Sequence, residues 1–436
     1  MTTLHESTLF NNIKLINNGG EFTGEAGMVL VNELMTKIGF DSLLRKNIHI
    51  NDQRHSPKYE YLTILKQVIL QIIAGYKHDV AANQLQYDPL FNLLLEQDKA
   101  ASQPTISRFI SQFTTENIQE LETVIRKLAT KLFEYHNQQQ FIIDVDSTHA
   151  DTYGHQEKAN YNAHYQTNGY HPLVAFDSSS GQLLGVKLRP GNRYTSTGVG
   201  TFLRSILNEY RSYSCDPDIL IRGDSGFATP ELYDLCDEQN CHFIVKAKAN
   251  HRLQYLAEEH DVYGGSNNGV AETYYYELAY RPGTWKQQYR VILKSTKAPD
   301  ELLFNHTFLI TNLSELSSDK LFKIYDKRGN AENYIKEAKL GFFLDKTDSH
   351  SYLTNAIHML ISAIAYNVVQ ILKQLALPAG EANNGVMALR FKLFHVPAKI
   401  IHHARKTIVQ LSKANVFDRL FWQVLHRIQS LQLTNI

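Results

Sequence analysis

Three acids, set far apart in the chain, carry the chemistry this sequence could do. The first lies in FIIDVDST, residues 141–148, where Asp144 and Asp146 close an apolar run two positions apart. On a strand that spacing sends both carboxylates to one face, which costs stability unless something uses them. For this octamer alone three readings stay open: a phosphatase nucleophile with its acid, a metal site, or a solvated strand end. The second acid, Asp224, follows the apolar segment that opens DILIRGDSGF, residues 218–227. If both segments are strands of one sheet, their ends reach one edge, and Asp146 and Asp224 converge there. A divalent cation would relieve the repulsion: Mg²⁺ prefers carboxylate oxygens and water, and ion pairs about 3.5–4 Å apart serve in-line phosphoryl displacement.

The third acid is Glu332. Tyr325, Arg328, Glu332 and Lys339 are spaced as Y-x2-R-x3-E-x6-K, and steps of 3, 4 and 7 keep all four on one face of a helix. A solvated helix also places Glu and Lys this way. Beside two strand-end aspartates, Glu332 would complete a metal site while Arg328 and Lys339 hold a phosphate. Arg222, two residues before Asp224, and Lys246 and Lys248, alternating in CHFIVKAKA, either track a phosphate backbone or line a solvated face. Arg108 lies in SQPTISR, residues 102–108, where Pro104 suits the first turn of a helix; groove reading and plain packing both fit. His402 and His403 match no ligand spacing, and Cys215, Cys236 and Cys241 form neither a disulfide framework nor a zinc set, which fits a reducing cytoplasm.

The elements that must position these groups can be read from periodicity. Residues 1–136 read as a helical N-terminal domain, with YEYLTILKQVILQIIAGY at 59–76 and a second periodic run from Thr115. From about 140 the pattern turns to short strands: FIIDVDST, HPLVAFD and LLGVKLR, then a helix through 199–210, the strand before Asp224, a helix opened by Thr229 and Pro230, and the strand CHFIVKAKA. That order predicts an α/β core with a mixed sheet flanked by helices. Three alternating strands within 251–310 read as a β-rich insertion, and the core resumes over 311–375 with a helix from about Ser318 to Leu340. The core's first part is then 137–250, and 376–436 is a basic C-terminal region.

The chain has 436 residues and no net charge, but its charge is segregated. From position 371 onward nine Lys and Arg face only Glu381 and Asp418, about +7, as expected where one face meets a polyanion; an exposed basic surface without a partner is the alternative. The N-terminus lacks the pattern of a secretory signal. MLISAIAYNVVQIL, residues 359–372, is shorter than a membrane span and contains Asn367, so a buried helix is expected.

The order Asp-x-Thr on a first strand, RGDSGF on a later one, a β insertion and Y-x2-R-x3-E-x6-K on a helix resembles the DDE transposases of bacterial insertion sequences, more narrowly insertion-sequence family 1380. The likeness spans essentially the whole chain, including SQPTISR. It implies a ribonuclease H-like fold in which Asp146, Asp224 and Glu332 bind two Mg²⁺ ions, with Mn²⁺ as a substitute, and Tyr325, Arg328 and Lys339 contact phosphate near the cleaved end. It leaves Asp144 as a supporting neighbour. The implied partners are double-stranded DNA, both terminal inverted repeats and target, and a second copy of the chain on paired ends, with no nucleotide cofactor and no membrane. The implied place of action is the bacterial cytoplasm, at the nucleoid. Relatives with this pattern can pass through a DNA hairpin with a base out of the stack, and Trp285, between Arg281 and Lys286, is the candidate platform; an ordinary turn or core tryptophan is the competing reading. Rival functions are a haloacid dehalogenase-like phosphatase using Asp144 and Asp146, whose later acidic motif fails at Ala228, a catalytically dead DNA-binding descendant, and a related nuclease without strand transfer.

Overall fold

The computed structural model describes residues 4–9, 13–52, 56–214, 217–260, 270–299, 301 and 303–432. Cys215, the turn GGSNNG and parts of the N-terminal stretch MTTLHESTLFNN lie outside these. Two compact units are present: residues 1–117 together with 371–436, and residues 118–370.

The second unit is built on one eight-stranded mixed sheet. Its strands, labelled here in chain order, are β1 Gln140–Ser147, β2 Leu173–Asp177, β3 Leu183–Lys187, β4 Asp218–Gly223, β5 His242–Lys246, β6 Glu272–Leu278, β7 Arg290–Lys297 and β8 Asn305–Thr311. Across the sheet they run β6-β7-β8-β5-β4-β1-β2-β3. The neighbours β1, β4 and β5 are parallel and all other pairings are antiparallel. Residues 251–310 therefore do not stand apart as a separate β insertion: β8 pairs with β5 and carries the same sheet outward through β7 and β6. The helix His251–Glu258, held at its start by the Asn250 side chain on the Leu253 N–H, precedes them.

Alternation along β1 assigns the two faces. Phe141, Ile143 and Val145 enter the main core, where the helix Val199–Tyr213 supplies Leu203, Ile206, Leu207 and Tyr210; the Phe141 ring stacks on Tyr210 with centroids 4.4 Å apart. Burying three such side chains stabilises by several kcal/mol, on the order of 2 each. The opposite face, with Asp144 and Arg222, lies under the helix Ser318–Asp326, whose Ile324 carbonyl accepts from Arg222 Nη1. Parallel strands in the middle of a sheet are covered on both sides, and these are no exception.

The helix expected over 318–340 is two helices, Ser318–Asp326 and Asn330–Phe342, joined by a 3₁₀ turn at Lys327–Gly329. Gly329 and Asn330 are weak in helix propensity, which favours the tighter turn there.

The most apolar segment is the core of the helix Tyr352–Leu375. It is long and apolar enough to cross a membrane, yet its apolar window is wholly buried inside the protein. The Asn367 amide explains how it tolerates this: Oδ1 accepts from the Leu183 N–H at 2.9 Å, and Nδ2 donates to the carbonyls of Leu183 and Ile125 at 2.8 and 3.3 Å. A buried amide costs little when its bonds are made.

The first unit, expected to be purely helical in its N-terminal part, also holds strands. Phe22–Thr23 pairs with Ala398–His403, which pairs with Lys406–Leu411. The basic tail is partly engaged within the protein: buried Arg390 donates to the carbonyls of Ile72 and Ile73 at 2.8 and 2.9 Å, closing the helix Tyr61–Ala74, Arg427 donates to the Leu377 carbonyl at 2.7 Å, Lys392 pairs with Glu381 at 2.8 Å and Lys373 is buried. Buried Arg390 and Lys373 are withdrawn from any polyanion-facing surface, whereas Lys399, Arg405, Lys406, Lys413, Arg419 and Arg427 are exposed.

Candidate active site

The parallel register fixes the site. Asp144 on β1 stands beside Arg222 on β4, and Gly223 beside Val245 on β5. One or two residues further along, Asp146, Asp224 and Lys246 come level at the C-terminal ends of three adjacent parallel strands, which lie about 4.8 Å apart. Asp224 leaves its strand in extended conformation and caps the 3₁₀ turn Ser225–Phe227, its carboxylate accepting from the Gly226 N–H at 2.8 Å. The turn needs glycine: a Cβ on Gly226 would stand 2.7 Å from Thr195 Cγ2 and 3.0 Å from Asp224 Oδ1.

Asp146 is partly buried and held from two sides. Oδ1 accepts from the Ser147 N–H at 2.8 Å, and Oδ2 accepts from Arg328 Nη2 at 2.7 Å. Burial pushes its carboxyl up to about 6; Arg328 pulls the other way, and the charges of Asp224 and Glu332 add to the rise. The reach of those two charges to Asp146 shows that the three acids, distant in sequence, share one electrostatic environment. Arg328 is desolvated, which by itself lowers its pKa, but Asp146, Tyr325 and Asp224 outweigh that and the guanidinium is held above its usual range. Tyr325 is pushed up to about 12, by burial first, and stays a phenol.

Among the described residues no group of three or more His, Cys, Asp or Glu side chains is gathered closely enough to hold a metal ion. The Arg328 guanidinium sits on the Asp146 oxygen that a cation would take. The donor chemistry still fits a hard divalent ion: the Asp146 carboxylate, which feels the charges of Asp224 and Glu332, offers oxygen ligands of the kind such an ion prefers. Arg328 Nε is buried without a hydrogen-bond acceptor among the described residues, leaving a donor for a ligand oxygen. Lys339 Nζ donates to the His149 carbonyl at 2.8 Å and lies 3.6 Å from Asp345.

Asp144 and Arg222 have another role. Arg222 Nε and Nη2 each meet a carboxylate oxygen of Asp144 at 2.7 Å, Nη2 also reaches Ser178 Oγ at 2.7 Å, and both side chains are essentially unexposed, at 1% and 0%. Burial pushes the Asp144 carboxyl up and the guanidinium pulls it back. Arg222 therefore cannot touch DNA, contrary to the expectation from sequence, and Asp144 cannot attack a phosphorus atom, which removes the phosphatase reading.

Trp285 is also corrected. It is 7% exposed, with Tyr233, Tyr280 and Tyr289 packed edge-on at 5.7, 5.8 and 5.3 Å. This is a core tryptophan, and no face is open for a base. Lys246 is exposed at the end of β5, and exposed Lys248 lies beyond the strand. Arg108 is exposed in the last turn of the helix Gln103–Ile110 in the first unit.

One residue has no signal in the sequence. Tyr165, in the turn between the short strands Asn160–Asn162 and Thr167–Tyr170, packs against His149 and His171 at 4.9 and 5.9 Å. Asn162 Oδ1 holds the turn by accepting from the N–H groups of His164 and Tyr165, at 2.9 and 3.2 Å. His171 contacts Ser147 Oγ through Nε2 at 2.9 Å, which ties this wall to the end of β1. Burial, then the carboxylates of Asp146 and Asp224, raise the pKa of the Tyr165 phenol.

A family profile described as a transposase DDE domain, group 1, matches residues 6–433. No curated protein matches the chain. Among solved structures, the piggyBac transposase synaptic complex with hairpin DNA is similar at a TM-score of 0.45 and 11% identity, covering 90% of this chain and 83% of that one. The Mos1 transposase paired-end complex with its left transposon end gives 0.17 and 10%, covering 47% and 64%. At these scores neither likeness bears on the chemistry. The profile does, since it takes in both strand-end aspartates and the helix of Glu332 in a single match along nearly the whole sequence: the chain belongs to the transposase DDE domain group 1 family.

Proposed function

We propose that this chain is the DNA transposase of a bacterial insertion sequence of family 1380, with a ribonuclease H-like core, and that it binds the element's terminal inverted repeats, cuts at the end and transfers the freed strand to target DNA. The observation that carries the reading is the alignment of Asp146 and Asp224 at adjacent parallel strand ends, with the Glu332 charge felt at Asp146.

Asp146, Asp224 and Glu332 would hold two Mg²⁺ ions. When bound, such ions supply a nucleophilic hydroxide at neutral pH and stabilise the leaving oxygen. The chain's own groups do the positioning. Arg328, released from Asp146, and Lys339 hold phosphate oxygens by charge-assisted bonds, and Tyr325 donates from a phenol that stays protonated. No nucleotide is needed, because one phosphodiester is exchanged for another. Lys246, level with the acids, and Lys248 extend the contact to the backbone, and Arg108 contributes from the first unit. Two copies act on paired ends in the cytoplasm.

The test is cleavage of a duplex carrying the terminal repeat by the purified chain. Cutting that requires Mg²⁺ or Mn²⁺ and is lost in Asp146→Asn and Glu332→Gln, with DNA binding retained, supports the reading; normal cutting by either variant overturns it.

A further inference from the structure

The first unit carries a two-stranded ribbon with an unusual tip. Ala398–His403 and Lys406–Leu411 pair in register from Ala398 opposite Leu411 to His403 opposite Lys406, leaving Ala404 and Arg405 as a two-residue loop. Both loop residues are left-handed, at φ 46° and 68°. That is the type I′ geometry, for which Asn-Gly is the favoured pair because a side chain with an ordinary Cβ is strained there. Neither Ala nor Arg relieves the strain, so turn propensity does not account for them, and a strained backbone persists where a site requires it.

The charge of the ribbon points one way. No Asp or Glu occurs between Glu381 and Asp418. Arg405 and Lys406 are exposed at the tip, without an ion-pair partner among the described residues, and Lys399 is exposed further back. His402 and His403 flank the tip, and the Glu21 carboxylate lies 3.4 Å from His402 Nε2. The third strand, Phe22–Thr23, pairs with Ala398 and Lys399, and the Ile400 N–H donates to the Glu21 carbonyl at 2.9 Å; beyond His402 the ribbon has two strands only, among the described residues. A ribbon of that width enters the major groove of double-stranded DNA, with cations at its tip meeting phosphates.

We propose that the hairpin 398–411 is a DNA-docking ribbon, with Arg405 and Lys406 at its tip contacting the duplex. This rests on the transposase reading, but it places the contact in the first unit, independently of the acids.

The strain supplies the test. Ala404→Asn with Arg405→Gly installs the preferred turn, so the protein should melt a few degrees higher while losing an arginine contact. Fluorescence anisotropy of the full chain on a terminal-repeat duplex should then show about tenfold weaker binding at moderate salt and a salt slope smaller by about 0.9. Lys406→Gln should lower the slope by a similar amount, and Ala404→Asn alone should leave it intact. Unchanged affinity and slope in the Asn-Gly variant, with its melting point raised, overturn the proposal. So does tighter binding of the wild type to a double-stranded RNA of the same sequence. If instead the wild type cuts no terminal-repeat DNA, yet the Asn-Gly variant still loses affinity for duplex DNA, the transposase reading falls and the ribbon stands.

Discussion

Arg328 Nη2 lies 2.7 Å from Asp146 Oδ2, joining groups 182 positions apart in the chain. One guanidinium thus lends positive charge to Asp146, whose carboxylate also feels Asp224 and Glu332, and it must leave that oxygen if a cation is to take it. Arg328→Gln should therefore tighten binding of Mn²⁺ to the DNA-free protein, read by electron paramagnetic resonance, and on terminal-repeat DNA it should lower the salt slope by about 0.9 as one phosphate contact is lost. Weaker Mn²⁺ binding in the variant would contradict the competition.

Asp146 makes folding stability depend on pH in a definite direction. Its carboxyl is raised from 3.8 to about 6, so between those values the folded protein keeps a proton that the unfolded chain has released. The contribution is present below pH 4, fades through pH 4 to 6 and is lost above. In EDTA, Asp146→Asn should therefore gain stability relative to wild type between pH 4 and 7, by about 1–3 kcal/mol in urea titrations. A gap that is flat or narrows with pH would refute the shift.

The Arg222–Asp144 pair predicts a variant that damages the fold without touching the reaction's contacts. Arg222→Met leaves a buried carboxylate without its partner and should cost about 3–5 kcal/mol. At temperatures where the variant is folded, its salt slope on DNA should match the wild type. A reduced slope would mean that Arg222 does reach the backbone.

Trp285→Ala should behave as a core truncation, lowering stability by about 3–5 kcal/mol. Nicking and any hairpin step should fall together, in proportion to the folded fraction. Selective loss of one step would restore a DNA role to this side chain.

Tyr165→Phe keeps the ring among its histidines and removes only the hydroxyl beside the acids. Single-turnover cleavage should drop by about a hundredfold while DNA affinity stays within a factor of about three, as for loss of one positioned donor. Wild-type cleavage would make Tyr165 a packing residue.

How much of this could be read in the sequence depended on whether the determining contact was local. Asp146 and Asp224 could be placed because an apolar run ending in an acid is a local pattern, and parallel pairing then aligns the ends. The face of Arg222 could also be read, but not that the helix Ser318–Asp326 covers it, since that cover lies about a hundred positions away. Trp285 sits among turn residues and looks exposed; Tyr280 and Tyr289, five and four positions away, fold around it and Tyr233 from a distant helix closes the packing. Tyr165 belongs to no motif and matters only through neighbours brought by the fold. The break at Lys327–Gly329 was readable from Gly329, whereas the stripe of four residues concealed it. The pairing of Phe22–Thr23 with Ala398–Lys399 joins opposite ends of the chain, and no local pattern announces it.

The Asn367 amide also has a consequence for how the protein behaves in company. β3 is the outermost strand on its side of the sheet, and both main-chain groups of Leu183 are already bonded to that one side chain. An incoming strand finds no free ladder where β3 begins, and at the far margin β6 presents Glu272 and Glu277. Sheets usually aggregate through such margins, and this one is closed by an amide on one side and carries carboxylates on the other. Asn367→Leu should free Leu183 and make the protein prone to clump, even though the substitution looks harmless on so apolar a helix.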